Sequence, residues 1–287
     1  MSSSKKLDVN QIVENVEKLH SLPTIYHQLD KAINDPHSST NQISAIISED
    51  TSLTARLLKL ANSAFFNFPS KVDTITMAVS IIGTRQIRDL ALATSVIEMF
   101  DGIPENVINM ESFWKHSIGC GVSARVLGNF RNSNNVETFF VAGLLHDLGS
   151  LAVYSQIPKA AEKILTYVKE KQVALVNVER KLMTADHAVI GSMLLKKWKL
   201  PHHLVEAVQH HHNPSKSLAP SDLCDTIHIA DIISTGLALG DSGDIMVPKL
   251  DTDALQRSNI SDAILSKVVK TMDKQYQDFV NIVLNKE

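Results

Sequence analysis

Apolar residues recur at helical spacing along almost the whole chain, and that period restricts the fold more than any other feature of the sequence. Leu53, Leu57, Leu60 and Ala61 fall at i, i+4, i+7 and i+8. Ile75, Ala78, Val79 and Ile82 repeat a helical pattern, as do Ile87, Leu90, Ala91 and Thr94. No strand-like alternation of useful length interrupts them. Ser39 with Gln42 three residues later marks one helix start, and Asp73 before Thr74-Ile75 another. Stops are expected at Asn67-Phe68-Pro69 and at Gly83. The spacing predicts four or five short helices between about residues 22 and 100. Beyond the break Asp101-Gly102-Ile103-Pro104 it predicts helices near 105–129, 134–148, 156–171, 175–183, 187–199, 201–212 and 221–239. A closing helix runs from about Ser258 to Leu284. The fold class is all-α, and no fixed-period repeat suggests a solenoid.

Composition narrows the function classes. With 28 basic and 31 acidic residues the net charge is -3. No broad electropositive field exists to coat nucleic acid or to hold a membrane surface. Arg56, Lys59, Lys71, Arg85 and Arg88 form at most a local basic strip, which reads best as a solvated helix face. Cys120 and Cys224 lie far apart in no CxxC pattern, so they are expected as small core residues in a reducing compartment. No apolar run of about 18 residues is expected, and the start Met1-Ser2-Ser3-Ser4-Lys5-Lys6 lacks a signal peptide's apolar stretch. These features predict a soluble, cytoplasmic protein.

The chemistry lies in the 12 histidines. His116 shares a helical stripe with Phe113, Cys120 and Leu127, which points it inward. The segment Phe139 to Leu145 is apolar all round, as a buried helix would be, and it ends in His146-Asp147. Two polar residues at the inner end of a buried helix need partners. His187 leads Ile190, Gly191 and Leu194. Leu204, Ala207 and Val208 continue into His211 and His212, and Ile227, Ala230 and Ser234 share a face with Asp231. His116, His146, Asp147, His187, His211 or His212, and Asp231 are therefore expected to face one interior. Mixed imidazole and carboxylate donors suit Mn, Fe, Zn or Ni, and a carboxylate can bridge two ions. A lone inward histidine is more often a hydrogen-bonded core residue, so the weight rests on the joint pattern and on the adjacent His146-Asp147. His20, His27, His37 and His202 are assigned to helix ends or surfaces. His203 and His210 are expected to be exposed, and His228, one turn before Asp231, to support the ligands.

Ala142-Gly143-Leu144-Leu145-His146-Asp147-Leu148-Gly149 resembles the signature of the HD superfamily of metal-dependent phosphohydrolases. Asp50 to Ala64, Ala78 to Gly83, and Trp198-Lys199-Leu200-Pro201 with His211-His212-Asn213-Pro214 narrow the resemblance to the HDOD family, the bacterial HD-related output domains. It covers about residues 15–235. The resemblance implies a helical signalling module, mostly without demonstrated catalysis and here without a fused receiver. It implies an N-terminal subdomain at 15–103 and an HD-like subdomain at 104–287, the latter ending in a C-terminal helix. The related HD-GYP cyclic-di-GMP phosphodiesterases have ligand positions matched by His116, His146, Asp147, His187, His211, His212 and Asp231. Their site lysine is Ser150 here, a glutamate used for a third metal is Ser112, and the Gly-Tyr-Pro motif is Asn213-Pro214-Ser215-Lys216. The implied protein is a regulatory output module of a bacterial signalling pathway, acting on a protein partner. Its pocket would be vestigial or would hold a mono- or binuclear Fe, Mn, Zn or Ni centre, with a nucleotide as candidate ligand. No nucleic acid or membrane partner is expected. The alternative is a metal-dependent phosphohydrolase acting on nucleotides or cyclic dinucleotides. There the metals would lower the pKa of a water toward about 7 and His187 or a neighbouring imidazole would assist proton transfer. Ligand retention favours the alternative; the lost lysine and Gly-Tyr-Pro motif favour regulation.

Overall fold

The computed structural model describes residues 8–100, 102–131, 133, 135–217 and 221–284; the polar start Met1–Lys6, Asp101, Asn132 and Asn134 lie outside them. Helices account for the regular structure, and no strand occurs among the described residues. The first six are α1 (Val9–Leu19), α2 (Thr24–Asn34), α3 (Thr40–Ser48), α4 (Thr51–Ala61), α5 (Ile75–Ile82) and α6 (Thr84–Met99). Five of them fall in the 22–100 interval. Ser39 forms the capping box expected with Gln42. Thr74, not Asp73, caps α5, because its hydroxyl accepts the Met77 N–H at 3.1 Å. Gly83 both ends α5 and starts α6 at φ 102°, a backbone region that side chains with a Cβ rarely enter. The stop assigned to Asn67-Phe68-Pro69 comes earlier. Asn62 follows α4, and its side-chain amide pairs with both the C=O and the N–H of Val72, fixing the turn.

The second set is α7 (Met110–Phe130), α8 (Val136–Leu145), α9 (Leu148–Gln156), α10 (Pro158–Lys171), α11 (Leu175–Leu182), α12 (His187–Lys197), α13 (His202–His210), α14 (Asp222–Gly236), α15 (Thr252–Ser258) and α16 (Asp262–Val283). Two of these were not predicted. Leu148 to Tyr154 of α9 is buried on every face, so it carries no amphipathic period to read. The short α15 rests on its ends instead. The Asp251 carboxylate accepts the Asp253 and Ala254 N–H groups, and Arg257 pairs with Asp225 at 2.7 Å.

The centre of the molecule is α7, packed against α8, α14 and α16. Two glycine contacts set the distances there. A Cβ on Gly143 would lie 2.7 Å from the Gly121 Cα, so only glycine lets α8 approach α7 this closely. A Cβ on Gly149 would overlap the His187 carbonyl oxygen, so α9 lies directly against the start of α12. Both contacts flank His146-Asp147. The ends of the chain cross over this core: α1 packs on α9 and α12, and α16 reaches from α7 to α4. Trp198 donates its indole N–H to the His20 carbonyl at 2.9 Å, and Asp278 accepts the Ala64 N–H at 2.7 Å.

One segment is apolar on average over a membrane-relevant length, although Glu137, His146 and Asp147 interrupt it. Within Val136–Gln156 an 18-residue window of mean hydropathy 1.4 is apolar enough to cross a membrane by length and composition, yet 94% of that window is buried inside the fold. In the basic strip, Arg56 pairs with Glu98, Arg88 with Asp30 and Asp89, and Lys71 with Asp73. Cys120 and Cys224 are free and buried.

Candidate metal centre

Five elements converge on one interior. His116 comes from the middle of α7, and His146 and Asp147 form the joint between α8 and α9. His187 opens α12, His211 and His212 follow α13, and Asp231 lies in α14. The structure brings all seven predicted side chains together. His116, His146 and Asp231 form one group of donor atoms within 4.8 Å of each other, and His187, His211 and His212 form a second. Asp147 stands between them. Its Oδ2 lies 3.2 Å from His146 Nε2 and 3.6 Å from His116 Nε2, while its Oδ1 lies 3.3 Å from His187 Nε2 and 3.7 Å from His211 Nε2. Asp231 Oδ1 is 3.3 Å from His116 Nε2. The open choice between His211 and His212 resolves to both.

The histidines are oriented from behind. The Nδ1–H of His146 donates to the Gly143 carbonyl at 2.6 Å, that of His211 to the Val208 carbonyl at 2.7 Å, and that of His187 to Glu179 Oε2 at 2.6 Å. With Nδ1 donating outward, each ring turns its Nε2 inward, a lone pair once that nitrogen gives up its proton. The Nε2 atoms face one another: His116 and His146 meet at 3.4 Å, His211 and His212 at 3.1 Å, and His212 and His187 at 2.8 Å. One proton satisfies one such contact, whereas a cation between the rings satisfies several. The donor set fits a transition metal on that chemistry.

The electrostatics agree. Burial works against protonated His146 and His187, but Asp147 beside the first and Glu179 beside the second override it and hold both imidazoles well above their ordinary range. His211 is pushed down to about 4 by burial and then by the charge of His146. His212 lies well below its usual value through burial and the facing His211. Burial would raise Asp147 and Asp231; His146 beside Asp147, and His116 with His146 beside Asp231, keep both carboxylates ionised well below their normal range. The two ionised carboxylates are thus balanced by protonated imidazoles, positive charge that a bound cation would replace.

Several contributors escaped the sequence reading. Glu179 was passed over, although at i+4 from Leu175 it puts a charge on the inward face of α11. Ser234 donates to the His116 carbonyl at 3.0 Å, and the Thr235 hydroxyl donates to Asp231 at 3.3 Å. The stretch 237–250 between α14 and α15 crosses the mouth of the site. It is tied down where Asp241 N–H donates to Ser112 O at 3.1 Å and Tyr154 donates to Ser242 O at 2.8 Å. Asp244 accepts the Leu175 N–H at 3.2 Å, and burial pushes its carboxyl up to about 6. Beneath this strap lies a cavity of about 10 Å³ lined by Asp147, Ser150, His187, His212, Asp231 and Asp244, room for one water. His228 supports the ligands as expected: its Nδ1–H donates to the His211 carbonyl and its Nε2 accepts the Asp251 N–H. His210 departs from expectation, being half-buried and 3.7 Å from Glu206.

The HDOD domain family matches residues 19–214. A curated relative, an uncharacterized protein of Treponema pallidum (strain Nichols), is 25% identical over 203 residues, which are 70% of this chain and 39% of that protein. The chain thus spans about two fifths of that relative's length. Among solved structures, an HDOD domain protein of unknown function from Geobacter sulfurreducens superposes with a TM-score of 0.77 at 23% identity, covering 96% of this chain and 98% of that one. A Shewanella amazonensis SB2B protein provisionally named a phosphohydrolase gives 0.75 at 23% identity, over 97% and 99%. At these identities the two likenesses speak for the fold alone. The all-α architecture and the matched family lead to one conclusion: the chain belongs to the HDOD family.

Proposed function

We propose that this chain is a regulatory output module of a bacterial signalling pathway, acting in the cytoplasm on a protein partner. Its pocket holds one or two divalent transition metals and turns over no substrate. Residues 15–103 form its N-terminal subdomain and 104–287 its HD-like subdomain. The observation that carries this reading is the closed site. A pocket for a nucleotide-sized ligand needs about 300–1,000 Å³, against a cavity of about 10 Å³ beneath the strap. Ser150 adds to it, since a neutral hydroxyl cannot give the cation that a phosphoryl group in transfer requires.

Imidazole and carboxylate together favour Mn, Fe, Zn or Ni over the all-oxygen preference of Mg or Ca. His116, His146 and Asp231 would hold one ion, His187, His211 and His212 another, with Asp147 placed between the groups. Bound there, the metal would supply Lewis acidity toward water and phosphoryl oxygens.

The complete seven-residue donor set favours a second reading, a phosphohydrolase of nucleotides or cyclic dinucleotides whose strap opens. The two are separated by experiment. Elemental analysis of protein prepared without chelator should find a transition metal, absent from the His146→Ala/Asp147→Ala variant; wild-type protein that stays metal-free after reconstitution ends both readings. Mn- or Fe-loaded protein is then assayed against cyclic dinucleotides, nucleotides and simple phosphodiesters. No turnover is expected, and turnover abolished by Asp147→Ala would install the hydrolase instead.

A further inference from the structure

We propose that the groove between α10 and α11 is a docking site for an acidic amphipathic helix of a protein partner. The groove encloses about 950 Å³ over an apolar floor that includes Ile164, Tyr167, Val173, Val178 and Leu182. Tyr167 is 49% exposed and Leu182 is 50% exposed; other apolar side chains such as Leu19 and Val247 are exposed too, but these two share one concavity. Large apolar groups left in water along one concavity mark a surface that something covers. Its charged rim is Lys163, Arg180 and Lys181, and no carboxylate lines it. Asp186 engages Arg180, whereas Lys163 and Lys181 form no ion pair among the described residues.

Charge and shape together choose the occupant. A chain of net charge -3 presents here a purely basic rim, which attracts carboxylates and repels other cations. A second copy would bring the same lysines to the same groove, placing like charges together. A bilayer takes up apolar groups from a protruding face; these line a hollow between two helices, the shape that receives a third helix through its i, i+3, i+4 and i+7 side chains.

One wall of the groove, α11, also contacts the metal centre, a link that rests on the regulatory reading above. On α11, Val178 forms part of the groove floor, while the adjacent Glu179 is buried against His187, accepting both its Nδ1–H and its backbone N–H. Arg180 holds Asp186, whose other oxygen caps α12 by accepting the Val189 N–H at 3.0 Å. A helix seated on α11 therefore bears on the segment that orients His187. Metal affects partner affinity and partner affects metal affinity by the same factor.

The test selects helix-forming peptides from a displayed library on the full-length protein. Enriched peptides should carry an apolar i, i+3, i+4, i+7 stripe flanked by Asp or Glu. Their affinity should fall at least about tenfold for Lys163→Glu/Lys181→Glu, two exposed changes that leave the core intact, and return when the peptide acids become Lys. Leu182→Ser should weaken them as well. Enriched peptides lacking acidic flanks, equal binding to the charge-reversed protein, or no enrichment would each overturn the proposal. So would concentration-dependent dimerisation, or binding to phosphatidylglycerol vesicles, that Leu182→Ser abolishes. With the selected peptide, Mn-loaded and chelator-treated protein should differ in affinity by about fivefold or more, a difference that Glu179→Gln removes. Equal affinities would overturn the link to the metal centre and leave the groove assignment standing.

Discussion

Glu179 is 1% exposed, and its carboxylate accepts two hydrogen bonds from His187. Partners behind a ligand histidine set its ring orientation and basicity, and their loss commonly costs about 10–100-fold in metal affinity. Glu179→Gln should therefore weaken Mn or Zn binding by that order while the protein remains folded, as competition titration with a chromogenic chelator would measure; unchanged affinity would detach Glu179 from the site. Asp244 gives a prediction in pH. Its folded pKa of about 6 lies above the unfolded value near 3.8, so its protonated form favours the fold at low pH. That contribution is fully present below about pH 3.8 and is lost as pH rises to about 6. Above pH 6 the partly buried carboxylate destabilises the strap, and Asp244→Asn should stabilise metal-free protein by up to about 3 kcal/mol at pH 7.5. The gain should shrink toward pH 4, as thermal melts across that range would record. A gain independent of pH would remove ionisation as its cause.

At the scale of elements, the centre depends on how closely helices approach. Gly149 lets α9 lie on the His187 carbonyl, and Gly143 lets α8 lie on α7. Gly149→Ala forces α9 and α12 apart, an overpacking that costs about 1–3 kcal/mol. It should also lower metal affinity, because Asp147 and His187 stand on the two helices being separated. Urea melts and metal titration of the same variant check both, and a variant as stable as wild type would show that the helices can shift freely. The strap is held more lightly. Tyr154→Phe deletes the hydrogen bond to Ser242, a loss of about 1 kcal/mol. Hydrogen exchange should rise in residues 240–248 and stay unchanged in α7 and α8; uniform protection would show that the strap is anchored elsewhere.

For the whole molecule, the metal centre is a joint between distant parts of the chain. Its donors come from residues 116 to 231 on five elements, and α1 and α16 pack across the helices that carry them. An ion bound only by the folded state stabilises by mass action, about 2.7 kcal/mol at a hundredfold excess over Kd. The melting temperature should accordingly rise with Mn concentration in wild-type protein and remain flat in His146→Ala/Asp147→Ala. A flat response in both would mean that the side chains meet without holding an ion.

The helical class, four or five helices between 22 and 100, and the inward direction of His116, His187, Asp231 and one or other of His211 and His212 were legible in the order of residues, because amphipathic period is a local property of a helix against water. Local reading missed the amphipathic α1 (Val9–Leu19) outright, and elsewhere it failed where local contrast vanishes. The α9 segment is apolar on every face, α15 is held by Asp251 and Arg257, and Glu179 looks like one more surface charge until His187 is seen beside it. Whether inward-pointing side chains share a point depends on how helices cross, and here the crossings are set by Gly121 against Gly143 and Gly149 against His187. Those contacts join residues far apart in the chain. The bridging place of Asp147, the sealing of the cavity by the strap and the groove beside α11 follow from packing in three dimensions, since each needs surfaces that no single helix possesses.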